Sequence, residues 1–325
     1  MTALPPGYRW RAPTLDDVAE AVAMENGEAV ALVGVPLVSE EWQRSQWTSP
    51  GFVLEENAAL VVAADGRIAG TLLVESRAPH RSVFQIGVVS ADHHGRGLGG
   101  ALVDEGERRA RIMAGLAAPG DRVVMHAGSL ADEPMVAALM AGRGFTEVRR
   151  FARMAIAFER PPQPPPKLPG IALRPAGEHE RSAVYHCLQE AFEDHWGESQ
   201  RDEDAWLHAH ADDETLWLAA VDGEEIVGAL VGSPRSEEDP DYGYVDQLGV
   251  RRSHRRRGIA RALLLECYCQ FHRLGKRGVH LHVDTRSPTG ATHLYERAGM
   301  TSAPRFATWE KELRPGSQMI GSTPL

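Results

Sequence analysis

The sequence predicts an α/β protein with mixed sheets, built twice over. Three observations predict it. The chain has 325 residues, more than one hydrophobic core usually serves. Runs of strand character alternate with runs of helical character in both halves. The halves also repeat an order of residues: VVSADHHGRGLGGALVDEGERRA (88–110) parallels GVRRSHRRRGIARALLLECYCQF (249–271). Each places a valine eight residues ahead of a glycine that opens a helical pattern, Val89 to Gly97 and Val250 to Gly258. A duplicated α+β domain accounts for this with one assumption.

The elements follow in order. LVVAADGRIAGTLLVE (60–75) is apolar on both sides of an Asp-Gly turn and predicts a hairpin. SVFQIGVV (82–89) predicts the next strand and VVMHAG (123–128) a later one. MVAALMAGRGF (135–145) is a short helix ending in a glycine suited to a left-handed cap. ERPPQPPPKLPG (159–170) holds six prolines. Proline lacks the amide hydrogen that helices and central strands need, so this run predicts a semi-rigid linker; a ligand for a proline-binding module is the alternative. The chain thus divides into a domain at 1–158, the linker, a second domain at 171–314 and a loose tail at 315–325. The second domain reads as a strand near 171–174 and helices at about 178–193 and 202–211. TLWLAAV (215–221), EIVGALVGS (225–233) and YGYVDQLGV (242–250) are strands, and 258–275 is a long helix. VHLHVDT (279–285) is a buried strand, 289–297 a helix, and TSAPRFATWEKEL (301–313) closes with strand character.

Composition excludes several functions. At 43% hydrophobic and 25% charged the chain matches a soluble globular protein. No run approaches the ~18 uncharged apolar residues of a membrane helix, and MTALPPGYRWRAPTLDD has no apolar signal region, so a cytoplasmic protein is expected. With 35 Lys+Arg against 45 Asp+Glu, broad nucleic-acid binding is disfavoured. Cys187, Cys267 and Cys269 cannot all pair and form no CxxC, so they read as small core residues in a reducing compartment. His93, His94 and His126 offer no metal set.

Against that acidity, RRSHRRRG (251–258) packs five arginines and a histidine just before a glycine and a helix. The first amides of a helix lack internal acceptors, and the helix dipole adds positive charge there. A strand ending at Val250, a basic loop and a helix opening at Gly258 therefore predict an anion site. Gly258 and Ala260 are small enough for phosphate oxygens to approach the backbone of Gly258, Ile259, Ala260 and Arg261, with Arg255, Arg256 and Arg257 supplying charge.

The pattern Arg255-x-x-Gly258-x-Ala260 resembles the acyl-CoA loop of the GNAT superfamily of N-acyltransferases. The preceding strand with Leu248-Gly249-Val250 and the later Leu294-Tyr295-Glu296-Arg297-Ala298-Gly299-Met300 strengthen the resemblance, which covers nearly the whole chain twice. It implies tandem GNAT domains and acetyl-CoA, or another acyl-CoA, as donor to a small-molecule amine. It implies backbone contacts to the thioester arm from Leu248, Gly249 and Val250, and Tyr295 as the acid that protonates the departing thiolate. Asp246, four residues before Val250 and by alternation on its face, is the candidate base. Tyr244 shares that parity and is expected to line the acceptor pocket. Glu193, Asp194, His195 and Trp196, after the first helix, stand where the family walls the acceptor site. Ser287-Pro288-Thr289 departs from the family, which often has an asparagine there for the pantetheine.

With the loops aligned, the first domain keeps Val89, Gly95, Gly97, Gly99 and Gly100, which are expected to retain a CoA site as a relic or to be merely structural. His94 stands at the Arg255 position, Met140 at that of Tyr295 and Gln85 at that of Asp246. A thioether has no proton to donate and an amide is no base, so the first domain is expected not to catalyse. This pairing resembles the mycothiol synthases among tandem GNAT enzymes, although Tyr244 or a neighbour falls where those carry a glutamate. A non-catalytic acyl-CoA-binding protein is the other reading. No motif encodes the acceptor or the oligomeric state.

Overall fold

The computed structural model describes residues 1–49, 51–130, 133–193, 203–210, 214–236, 238–285 and 290–316. It contains two compact units, Met1–Arg150 with Arg305–Leu325, and Phe151–Pro304.

In the first half of the sequence the order is β1 (Tyr8–Arg11), α1 (Val18–Val33), α2 (Glu40–Trp47), α3 (Leu54–Asn57), β2 (Ala58–Ala63), β3 (Ile68–Ser76) and β4 (Ser82–Val89). Then come α4 (Leu98–Met113), β5 (Val123–Leu130), α5 (Pro134–Gly142) and β6 (Thr146–Ala157). The second half has β7 (Ile171–Pro175), α6 (Arg181–Phe192), α7 (Glu203–Ala209), β8 (Leu216–Asp222), β9 (Glu225–Ser233) and β10 (Tyr242–Val250). It ends with α8 (Ile259–Arg273), β11 (Gly278–Asp284), α9 (Ala291–Arg297) and β12 (Thr301–Arg314). The expected strands at 215–221, 225–233, 242–250 and 279–285 and the long helix lie within a residue or two of β8, β9, β10, β11 and α8.

Each unit is a mixed sheet. In the first, β1 to β4 are successive antiparallel neighbours, β4 and β5 run parallel, and β5 pairs antiparallel with Phe306–Arg314 of β12. In the second, β7 to β10 are antiparallel, β10 and β11 parallel, and β11 pairs antiparallel with Phe151–Ala157 of β6. Each unit therefore takes its last strand from the other half of the sequence. The contiguous division at 158 and 171 differs from this in both strands, because the linker marks where the chain is extended and not where strands pair.

Two cores sandwich the sheet of the second unit. On one face Ile259, Leu263, Cys267, Tyr268 and Phe271 of α8 pack on Leu218, Val227, Val245, Val279 and Leu281. On the other, Val184, Cys187 and Leu188 of α6 and Trp206 of α7 pack on Trp217, Ala229 and Val231. Alternating strand positions feed the two cores, as strands covered on both faces require. The linker contributes Leu168, which packs on the α8 core and bridges to Ile171. No helix among the described residues is long and apolar enough to cross a membrane.

Candidate active site

β10 carries an irregularity that sequence alternation does not reveal. Its ladder with β9 shifts register between Val245 and Gln247, so Asp246 is the extra residue of a β-bulge. The bulge reverses the faces of everything beyond it. A side chain at Gly243 would strike Phe271 of α8, whereas one at Gly249 would strike Ala191 and Leu188 of α6. Without the bulge these two positions, six apart, would share a face. Asp246 and Val250 therefore do not share a face, contrary to the four-residue spacing. Val250 joins the α8 core, and Asp246 lies on the side of α6 and α7, where His210, the residue after α7, meets it.

β10 also leaves its parallel neighbour early. Pairing with β11 stops at Tyr244 opposite His280, although β10 runs on to Val250. Arg251 N donates to Val227 O of β9. Alternation then turns the Gly249 amide to β9 and the Leu248 and Val250 amides to the opened edge. Gly249, expected with them as a donor, instead gives α6 room to approach.

At the end of β10 a short 3₁₀ turn, Arg252–His254, leads to α8. Gly258 caps the helix in the left-handed region, φ 82°, with no side-chain cap. The first internal bond is Ala262 N to Gly258 O. The amides of Gly258, Ile259, Ala260 and Arg261 therefore have no acceptor among the described residues. The arginines divide into three kinds. Arg255 braces the loop: its Nε donates to Val250 O (3.2 Å) and its Nη2 to Ala191 O (2.9 Å). Arg251 pairs with Glu190, Arg252 with Glu193 (3.3 Å) and Arg257 with Asp222 (3.4 Å). Arg256 and Arg261 are exposed and make no ion pair among the described residues. Arg256 adopts φ 65°, a left-handed conformation costly for any residue but glycine.

Tyr295 of α9 is buried, and burial pushes its phenol up to about 12, so it carries its proton at neutral pH. Tyr244 is pushed up more strongly, by burial first and then by the charge of Asp246. Tyr244 lies beside the rings of His280 (5.2 Å) and His282 (6.0 Å) of β11. Buried Glu238 accepts from Arg153 (2.7 Å) and pairs with His282 (2.9 Å) behind them. Asp246 Oδ2 lies 2.8 Å from Nε2 of His210. Glu193 faces the loop through Arg252. Asp194, His195, Trp196 and Ser287–Thr289 lie outside the described residues. Sequence reasoning missed His210, since one histidine after a short helix carries no signal. It also missed Gln247, whose buried Oε1 has no hydrogen-bond partner among the described residues.

The first unit repeats the loop and omits the bulge. Gly95 (φ 71°) and Gly97 (φ 84°) match Arg256 and Gly258 in backbone. His94 Nε2 bonds Val89 O at 3.0 Å, as Arg255 bonds Val250 O, and its 3.1 Å contact with Glu28 Oε1 ties the loop to α1. The β3–β4 ladder runs from Gly70–Val89 to Ser76–Val83 without a shift, and β4 stays paired with β5 as far as Ile86. Phe84 pairs with His126 as Tyr244 does with His280. From Phe84 to Val89 is five residues, and from Tyr244 to Val250 six. Gln85 therefore matches Val245, not Asp246. It points to α4, where it would strike any side chain at Gly106, and its buried Oε1 has no hydrogen-bond partner among the described residues. Met140 does match Tyr295: Phe145 N bonds its carbonyl as Met300 N bonds that of Tyr295.

The comparisons agree with this geometry. The model of the Acetyltransferase (GNAT) family matches residues 181–300, from α6 to the residue before β12. The structure of a GCN5-related N-acetyltransferase from Sphaerobacter thermophilus is 33% identical, with a TM-score of 0.86 over 99% of this chain and 100% of that one. A tandem GNAT protein of the clavulanic acid biosynthesis pathway, 17% identical, shares the fold with a TM-score of 0.71 over 95% of this chain and all of its own. The mycothiol acetyltransferase of Nocardia farcinica is 27% identical over 308 residues, 91% of this chain and 94% of that protein. The chain accordingly belongs to the GCN5-related N-acetyltransferase family and is a tandem-domain acetyltransferase of the mycothiol-synthase-like kind.

Proposed function

We propose that the second unit moves an acetyl group from acetyl-CoA to a primary amine of a small molecule. One conjunction carries this reading. The strand whose Leu248 and Val250 amides face an opened edge leads through a short turn into a helix whose opening amides, Gly258 to Arg261, lack acceptors among the described residues. The amides of Gly258 to Arg261 take the diphosphate, and Arg256 and Arg261 add charge. The Leu248 and Val250 amides bind the pantetheine arm and polarise the thioester carbonyl, where negative charge grows in the transition state. Asp246 takes a proton from the acceptor ammonium. The neutral amine then attacks the carbonyl carbon, the C–N bond forms, the C–S bond breaks, and Tyr295 protonates the departing sulfur. The proton leaving the acylated nitrogen restores the phenol.

Replacing Tyr295 with Phe tests the assignment. Turnover is expected to fall about a hundredfold, the usual scale of a lost general acid, while acetyl-CoA affinity holds. Unchanged turnover overturns the acid role.

A second reading makes the acceptor the cysteinyl amine of a mycothiol precursor. The 27% identity to mycothiol acetyltransferases along most of the chain favours it. Tyr244 in place of an acidic residue counts against it. A panel of amines that includes that precursor, scored by CoA release, separates the two.

A further inference from the structure

We propose that His210 and Asp246 form one proton-accepting unit, in which Asp246 meets the acceptor amine and His210 takes the proton through it. The inference rests on the acetyl-transfer reading and adds to it a residue that no motif marks. His210 follows α7, and its Nδ1 lies 2.8 Å from the carbonyl oxygen of Trp206, four residues back. A carbonyl oxygen only accepts, so Nδ1 carries a hydrogen. That leaves Nε2 as the atom that gains and loses a proton, and it sits 2.8 Å from Oδ2 of Asp246. The ring is held in place by contacts with Trp206 (4.4 Å) and Trp217 (6.2 Å). Its side chain is 12% exposed, against 40% for Asp246. Oδ1 of Asp246 has no hydrogen-bond partner among the described residues, so the carboxylate presents one oxygen to the histidine and one outward.

The two distances fit the pair once it has taken a proton, with both ring nitrogens donating and the imidazolium facing a carboxylate. Before the step, the ring is neutral and Asp246 ionised. The acceptor ammonium gives its proton to the Asp246 carboxylate at Oδ1, the carboxyl group turns about its Cβ–Cγ bond, and that same proton passes to Nε2. The amine is left neutral, the carboxylate is restored and the positive charge sits on His210. Water removes that proton before the next turnover. The bulge is what makes this possible, because an unbulged strand has no residue at this place. Among the described residues, the ionisable groups around the pair are Tyr244 on the same strand, Glu238 and Tyr295 beyond it, Arg181 of α6 over the Trp217 ring, and the His186–Glu203 pair of α6 and α7. None of these bonds both partners. His210 is thus a positioning residue that also stores a proton.

The test compares the full-length chain with H210Q and H210A, using acetyl-CoA and one amine that the wild type acetylates. Glutamine keeps an amide donor for Asp246 but cannot take up a proton. Both variants are expected to bind acetyl-CoA as the wild type does and to lose at least tenfold in kcat. The acid-side inflection of kcat in H210Q should fall by about two pH units, from the imidazole range towards the carboxylate range. In wild type, the ring ¹⁵N shifts of His210 should titrate with Nδ1 always protonated, and D246N should move that titration. H210Q with wild-type kcat and inflection overturns the proton role and leaves only orientation. A His210 titration unmoved by D246N overturns the pairing. A wild type that releases no CoA with any amine overturns instead the acetyl-transfer reading beneath it.

Discussion

β4 and β10 each pass a histidine on a parallel neighbour, at Phe84 and at Tyr244, and end in a valine whose carbonyl is held by the loop that follows. Between those marks β10 has one residue more. That residue, Asp246, aims a carboxylate at the α6–α7 face, and past it the strand stands open from its neighbour. β4 has no such residue, keeps its ladder unbroken, and turns Gln85 into the core. The loops beyond are nearly the same in backbone, with a left-handed pair of residues in each. The first unit has thus kept the loop shape suited to gripping an anion and lacks the strand irregularity suited to chemistry on what the anion carries. A cradle and a reactive centre are separable features of this fold, and a single inserted residue separates them.

Deleting Asp246 should have the largest effect, since it gives β10 the register of β4. Acetyl transfer is expected to drop at least a thousandfold, the scale of losing aimed backbone donors together with a base, while calorimetry still finds acetyl-CoA bound within about tenfold of wild type. Loss of binding to the same degree would mean that the loop depends on the bulge. Next comes the alkaline limb. Burial holds Tyr295 near 12, so kcat should stay flat through pH 10, where an unperturbed phenol at about 10 would be half ionised. A decline centred at 10 would remove Tyr295 from the acid role.

The loop arginines should then part company in thermal unfolding. Arg255→Ala leaves the Val250 and Ala191 carbonyls without their donor and is expected to cost about 2 kcal/mol. Arg255→His, the first unit's choice, should cost less. Arg256→Gly, which copies Gly95, relieves a left-handed residue and should stabilise by about 1 kcal/mol, yet weaken acetyl-CoA roughly tenfold. Smallest of all, Gln85→Met removes an unpartnered buried oxygen and should gain up to about 1 kcal/mol with no change in turnover.

The duplication, the order of strands in the second half, the long helix and the glycine that opens it after a basic loop were legible because each rests on local signals: alternation, a helix-opening glycine, a valine-to-glycine spacing. Three things were not. A bulge leaves no mark on alternation read forwards, so Asp246 and Val250 fell on one face and Gln85 opposite the wrong residue. The loop arginines look alike in sequence, and only the carbonyls within reach of Arg255 show it to be a brace. The pairing of Asp246 with His210 joins residues 36 apart, a distance at which no spacing rule operates.

The traded strands set a timetable for synthesis. When Leu130 has left the ribosome, β5 still has no antiparallel neighbour, because that neighbour is residues 306–314. At 5–20 residues per second the wait for the chain to lengthen from Leu130 to Arg314 is on the order of ten to forty seconds. For that interval the nascent protein offers a bare edge to anything able to add a strand, and a message cut short near its end would leave the edge permanently uncovered.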